Sequence, residues 1–413
     1  MVTGSGVHCE NCPRQTTRPD SKSNGFVKLI YFAAVDEGGL SEYSIHQAAA
    51  LAELGCDVIF LGRQHLQKGL EEKSPGIPFI PLAPEPDGKA ARSRTWKVLR
   101  WIRRCRSEAR QLAQTVEEYQ ATCVVIASYA EYFAPFWAGI LRRIRSRGIR
   151  IGSVVHDPVR DFRVGPRWWH QWSVSLAYSF IDVAFVHDHG AIDTGWPERE
   201  LRVSVIPHGL YQVPVPVPPP RRTLVRMELG IPPDAQVLLS FGHIRDGKNL
   251  DLAIRALPAF PNLHLLVVGR EQSTTQKPVL YYQQLASELN VSDRCHWVNR
   301  FVSQFEVHRY FVASDAIVLL YSALFRSASG VLNNAAQFKL PVLASSGGGP
   351  LKEAVESYRL GLWVSPDCQN SVEKGLKQLL ENGIQNSNWN QYCLDHDWRQ
   401  NASLVIESLM DSI

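Results

Sequence analysis

Nowhere in the 413 residues do about 18 apolar residues follow one another, so no membrane-spanning helix is expected. The stretch Met1–Asn24 is polar and lacks the apolar core of a secretory leader; it reads as a disordered tail. Charge of one sign is not in excess. The 44 Lys and Arg against 40 Asp and Glu leave only +4, so no general affinity for polyanions follows and no nucleic-acid partner is expected. The eight cysteines contain one close pair, Cys9 and Cys12, beside His8. Zinc would need a second pair at ligand spacing, and none follows. No metal and no cofactor are expected, and scattered thiols of this kind read as reduced, cytosolic ones.

What is present is an ordinary globular composition, 45% hydrophobic and 20% charged, long enough for two domains. Apolar strands alternate with helical stretches from Val27 onward. Val27–Ala34, a glycine-bearing turn, a helix to Leu54 closed by Gly55, and Asp57–Gly62 make a βαβ opening of an α/β, doubly wound sheet. Gly38 and Gly39 open that helix and let backbone approach a ligand, or simply make a tight turn. Further strands are expected at Ala121–Ser128, from Ile149 to a close at His156, and at Val183–His187, with a helix over Tyr129–Arg147. Pro214–Pro220 is proline-dense, which favours an extended linker over a core element. The expected division is a tail (1–24), a first domain (25–213), a linker (214–222), a second domain (223–390) and a closing helical segment (391–413) read over Asp395–Ser412.

Two stretches carry the chemistry. In Phe325–Gly349, Ser327, Ser329 and Gly330 stand where a helix begins, and Val331–Phe338 carry the helix. A helix start without bulky side chains presents free N–H groups and a positive dipole end, an anion site; an ordinary Ser-Gly cap looks the same locally. In Leu238–Asn249 a strand ends at Gly242 and is followed by Arg245 and Lys248. Two cations on a strand-to-helix loop beside a helix start make a diphosphate clamp; alternatively they are two solvated charges.

Taken together, Phe241–Leu250, Leu266–Gly269, Ala313–Tyr321, Ser329–Leu332 and Leu340–Ser345 occur in an order and spacing that resemble the nucleotide-sugar half of the retaining, family-4 glycosyltransferases of GT-B fold. The resemblance runs from about Val27 to the C-terminus. It implies two Rossmann-like domains facing a cleft, with the C-terminal helix crossing back to the first. It implies a UDP- or GDP-sugar donor, a glycan or lipid-linked acceptor, and hexosyl transfer with retention. Arg245, Lys248 and the Ser329–Gly330 helix start would then neutralise the leaving diphosphate without a divalent ion, in keeping with the lack of an Asp-x-Asp motif in a convincing loop. His156, at the end of a strand, matches the family's cleft histidine, although an isolated His there also reads as a structural one. Gly38, Gly39, Gly209, Gly242, Gly269 and Val331 would line the donor site with backbone, Gly269 near the base.

The chain departs from the family at one place. Two glutamates eight residues apart are replaced by Arg326 (or Ser327) and Asn334, in a branch carrying Ser-Gly-Val-Leu. Asn334 would still reach a ribose hydroxyl, without charge assistance. Glu353 is a weak substitute. A non-hydrolysing sugar-nucleotide epimerase and a catalytically silent nucleotide-binding protein of the same fold are the competing readings. The former needs cleft carboxylates that are scarce here.

Last, Arg92–Gln114 reads as a helix with Trp96, Leu99, Trp101 and Ile102 among Arg100, Arg103, Arg104, Arg106 and Arg110. Such a helix lies on an anionic membrane face or packs its tryptophans inward. The family's lipid-linked acceptors favour the former, at the inner face of the membrane.

Overall fold

The computed structural model describes residues 27–411 except 36–37, 84–93, 157, 159, 161–162, 189 and 272–275. The expected N-terminal tail with Cys9 and Cys12, and the Asp157 neighbour of His156, lie outside the described residues. Two sheets organise the rest. The first lobe runs β1 (Lys28–Ala33), α1 (Gly39–Glu53), β2 (Asp57–Gly62), α2 (Leu66–Lys73), β3 (Phe79–Pro81), α3 (Arg94–Tyr119), β4 (Cys123–Ser128), α4 (Ala138–Arg145), β5 (Arg150–Val154), α5 (Arg167–Tyr178), β6 (Val183–Val186) and β7 (Arg202–Val205). The second runs α6 (Arg222–Glu228), β8 (Gln236–Phe241), α7 (Leu250–Ala256), β9 (Leu263–Val268), α8 (Val279–Glu288), β10 (Cys295–Val298), α9 (Gln304–Ala313), β11 (Ala316–Leu320), α10 (Gly330–Phe338), β12 (Val342–Ser345), α11 (Pro350–Ser357), β13 (Gly361–Trp363) and α12 (Gln369–Asn382). Two helices close the chain, α13 (Trp389–Asp395) and α14 (Trp398–Met410).

The strand orders are β3-β2-β1-β4-β5-β6-β7 and β10-β9-β8-β11-β12-β13, and the ladders are parallel, as in Ile30↔Ile59 and Leu238↔Leu265. Parallel strands need helical crossovers, so both sheet faces are covered and the strands read as apolar runs. Leu29–Ala33 and Leu263–Val268 are buried throughout. The strand order reverses between β1 and β4 in one sheet and between β8 and β11 in the other. A ligand crevice opens at the carboxyl ends of strands at such reversals. The loops that leave β1, β8 and β11 carry Gly38, Gly242 and Tyr321.

Residues 206–221 hold no regular element and join the lobes. The closing helix α14 packs on the first lobe: Ala402, Val405 and Leu409 share a core with Tyr31 and Phe185. Ser408 Oγ donates to Ser204 Oγ at 2.7 Å. Asn401, fully buried, ties α1 to the linker, its Nδ2 donating to Pro207 O at 2.7 Å while its Oδ1 accepts from Gln47 Nε2 at 2.8 Å.

One expected helix is broken and another starts later than expected. Over 129–147, a 3-10 turn at Glu131–Phe136 with Pro135 inside precedes α4, because proline supplies no amide donor and blocks the preceding turn. The helix expected over Asp395–Ser412 begins at Trp398 as α14, after α13 ends at Asp395; Asp397 caps α14 by accepting from Arg399 N.

Candidate active site

The second lobe's contribution starts at Gly242, whose φ of +91° suits glycine. A Cβ there would stand 3.0 Å from Lys248 Nζ and 3.6 Å from Val331 Cγ2. The bare backbone therefore makes room for an ammonium and a helix start at one point. Lys248 closes a 3-10 turn (246–248), and Asn249 takes a left-handed conformation (φ 47°) before α7 begins. Its Nζ donates to Phe241 O at 2.6 Å. Burial, helped by the neighbouring Arg245, pushes the Lys248 ammonium down to about 7. A cation so destabilised is one for which an anion would be a strong partner. The Arg245 guanidinium lies 6.0 Å over the Phe325 ring. Phe325 in turn stacks on Tyr321 at 3.9 Å, and Tyr321 OH meets Ser329 Oγ at 3.1 Å. This aromatic stack carries the loop 321–329 from β11 to α10 and sets both cations against it. Ser329 is the N-cap of α10, but its side chain makes no cap hydrogen bond, so the first N–H groups of the helix keep no side-chain partner.

Gly269 packs on the Gly242 carbonyl, with any Cβ placed 2.1 Å from it. It serves to bring two strand ends together. Gly209 is covered by the Trp398 indole, 2.2 Å from where its Cβ would be. Asn334 is half-buried on α10, and its side chain makes no hydrogen bond to the described residues. Arg326 sits at the glycine loop before α11, its Cγ 3.1 Å from a Cβ on Gly347. Glu353 is exposed on α11.

From the first lobe, Gly38 (φ +126°) caps α1 with open space where a side chain would be. The linker's Tyr211 joins the two helix starts. Its OH donates to Gly39 O at 3.2 Å, and its ring stands 3.3 Å from the Cβ position of Gly330. The starts of α1 and α10 are thereby held against one another across the lobes.

Beside them lies a histidine cluster. Tyr43 on α1 is surrounded by His156, His187 and His208, ring centroids 4.6, 5.5 and 5.1 Å away. These follow β5, β6 and β7. Burial pushes all three imidazoles down to about 3, so they are neutral near pH 7. His187 Nδ1 is 3.1 Å from Ile206 O, which fixes the proton on Nδ1 and leaves Nε2 an acceptor. His208 Nδ1 faces Asn333 Nδ2 at 2.6 Å, and Tyr392 OH donates to Asn333 Oδ1 at 2.5 Å. Tyr392 thereby orients the Asn333 Nδ2 as a donor, and His208 Nδ1 lies between it and the Gly209 carbonyl at 3.1 Å. The Nε2 atoms of His156 and His187 are buried with no partner among the described residues, and each such atom costs about 1–3 kcal/mol unless a ligand satisfies it. Among the described residues no group of three or more His, Cys, Asp or Glu is placed to hold a metal ion.

The structure thus brings Gly38, Gly39, Gly242, Lys248, Gly330 and Val331 to one seam, with Arg245 and Ser329 bordering it and His156 close by on Tyr43. Asn333, Tyr43, Tyr211, Asn401 and Trp398 went unnoticed in the sequence. Their partners are mostly tens to hundreds of residues away, so no local pattern marks them.

Comparison with known proteins fits this geometry. Residues 222–395 match the family described as "Glycosyl transferases group 1". Over 147 residues the chain is 31% identical to the D-inositol 3-phosphate glycosyltransferase of Mycobacteroides abscessus; the match covers 35% of this chain and 32% of that protein, so the chain spans about a third of the curated relative it matches. Among solved structures, HepE of Anabaena in complex with UDP and glucose superposes with a TM-score of 0.70 at 16% identity, covering 93% of this chain and 100% of that one. Sucrose-phosphate synthase of Thermosynechococcus elongatus gives 0.67 at 16% identity, covering 92% and 98%. At such identities the likeness shows the fold, two parallel-sheet Rossmann-like lobes of the GT-B type. Residues 222–395 thus match the glycosyltransferase group 1 family, within a GT-B fold that embraces nearly the whole chain.

Proposed function

We propose that the chain transfers a hexosyl group from a nucleoside-diphosphate sugar to a glycan or lipid-linked acceptor, with retention and without a divalent ion. The observation that carries this reading is the meeting of Lys248, Gly242 and the start of α10 at one point, with Arg245 beside it. As the sugar–oxygen bond breaks, negative charge grows on the diphosphate. The Lys248 ammonium, the Arg245 guanidinium and the N–H groups of Gly330 and Val331 are the groups that would stabilise it. The developing charge also restores the Lys248 proton affinity that burial removes. The bare Nε2 atoms of His156 and His187 would accept hydrogen bonds from sugar hydroxyls. Names of related proteins support a nucleotide-sugar donor: the Anabaena protein is described with UDP-glucose.

The acceptor side of the proposal rests on the first lobe's surface. No helix among the described residues is long and apolar enough to cross a membrane. From Lys97 to Arg106, α3 carries five cations and no carboxylate. Trp96, Trp168 and Trp196 are 60%, 66% and 67% exposed. Arg104 is turned away from this role, since it pairs with Glu108 and lies over Trp101. The basic, tryptophan-bearing stretch of α3 supports a reading in which this helix rests on an anionic membrane at the cytoplasmic side.

A panel of UDP-, GDP- and ADP-sugars tests the donor. One of them should raise the melting temperature and, with acceptor, release nucleoside diphosphate. Lys248→Ala should lower turnover by roughly 30- to 1,000-fold, the range for a phosphate-directed donor worth about 2–4 kcal/mol. Tight binding of a donor with no turnover over a broad acceptor panel would instead favour a silent nucleotide-binding protein.

A further inference from the structure

A cavity of about 870 Å³ lies between the lobes on the hinge side of Tyr211, bounded by α1 and α2 on one side and by the start of α9 and the later turns of α10 on the other. Neither Lys248 nor Arg245 reaches it. Tyr211, with its hydroxyl on Gly39 and its ring against Gly330, stands at its border with the seam described above.

Its charge is the reverse of a diphosphate site. Glu42, Glu72 and Asp397 contribute three carboxylates, and Lys73 the single ammonium. Lys73 Nζ is already directed to Gln212 Oε1 at 3.4 Å. The Glu42 carboxyl has no hydrogen-bond or ion-pair partner among the described residues, and burial raises its proton affinity. A nucleoside diphosphate would meet repulsion here. A ligand rich in hydroxyl groups would not. Carboxylates and the exposed side-chain amide of Gln304 accept and donate to hydroxyls without needing a formal charge on the ligand. A flat apolar face is also supplied by Phe305, which is 60% exposed. Aromatic faces beside amides and carboxylates suit the alternating C–H and O–H faces of a pyranose ring. The volume falls within the range that encloses a ligand of a few rings.

We propose that this hinge-side cavity binds a neutral oligosaccharide, as a subsite separate from the nucleotide-sugar seam. Its role rests on the transferase reading: the saccharide would be a part of the acceptor distant from the bond being formed. Its binding does not rest on that reading.

The test uses the full chain and four trisaccharides of neutral hexoses or N-acetylhexosamines: α-1,4-glucotriose, β-1,4-glucotriose, mannotriose and chitotriose. Saturation-transfer NMR reports contact, and tryptophan fluorescence gives affinity. At least one should bind with a Kd of about 1 mM or tighter. Phe305→Ala combined with Gln304→Ala, both exposed positions that leave the core intact, should weaken it by about tenfold or more. The melting-temperature rise given by UDP-glucose, or whichever nucleotide sugar binds, should be unchanged in that variant. The proposal is overturned if no trisaccharide binds the folded chain, if the double variant binds equally well, or if a nucleotide sugar displaces the trisaccharide competitively. Failure of the donor panel alongside intact trisaccharide binding would sink the transferase reading and leave the site standing. With a working transferase, the variant should raise KM for long acceptors and leave kcat unchanged.

Discussion

Lys248 gives the sharpest test of how the seam meets a diphosphate. In the empty protein its ammonium is pushed down to about 7 by burial and by Arg245. A bound diphosphate would return it to the ordinary lysine range or above, because an opposite charge favours the protonated form. Donor binding must then draw a proton from solution. At pH 6, 7 and 8 the uptake should be about 0.1, 0.5 and 0.9 proton, the fraction of Lys248 neutral before binding. The same linkage sets the affinity. A neutral lysine must be protonated first, so the observed Kd should weaken by roughly 50-fold between pH 7 and pH 9, or about 2.3 kcal/mol. Calorimetry of a nucleotide sugar in buffers of different ionisation enthalpy measures the uptake directly. A nucleotide sugar is the right probe because its diphosphate has no group titrating near neutrality. Lys248→Arg is the control, since a guanidinium stays charged throughout and should abolish both the uptake and the steep loss. Binding at full affinity with no proton uptake at pH 8, or an unchanged uptake in Lys248→Arg, would show that Lys248 does not face the diphosphate.

Gly209→Ala would place a methyl 2.2 Å from the Trp398 ring and should destabilise the chain by about 1–3 kcal/mol, as overpacking does, read as a lower midpoint in urea. The histidine cluster sets an acid limit. His156, His187 and His208 are each held near 3, below the unfolded value of about 6.5, so the unfolded chain binds protons more readily than the folded one. Their destabilising effect should be absent above pH 6.5 and grow as the pH falls toward 3, by up to about 1.4 kcal/mol per pH unit for each histidine. Replacing Tyr43's neighbour His187 with Gln should flatten that slope in melts taken from pH 7 to pH 4. For the membrane face, Arg100→Gln with Arg103→Gln and Trp96→Ser should weaken sedimentation with anionic vesicles, and the wild-type association should fall as salt rises. Salt-independent association, unaltered by these changes, would refute it.

The local code of the chain specified the alternation of buried strands and helices, because a parallel sheet covered on both faces writes itself as short apolar runs between helical stretches. It specified the helix start at Ser329–Gly330 and the loop with Arg245 and Lys248, since glycine and lone cations at strand ends leave a signature a few residues wide. Breaks such as that at Pro135 were overlooked where apolar spacing continued through them. Only the tertiary structure decided which side chains meet. Gln47 with Asn401, Tyr211 with Gly330, and three histidines from three strand ends around Tyr43 are pairings across long stretches of chain, and no local spacing encodes them. The glycines divide in the same way. Their positions could be read in the chain, but whether each has open space beside it, as Gly38 does, or is filled by a neighbour, as Gly209 is by Trp398, depends on the packing of the whole. The periodicity of one segment reports its own burial, while a site is a meeting of several segments and exists only once they are folded together.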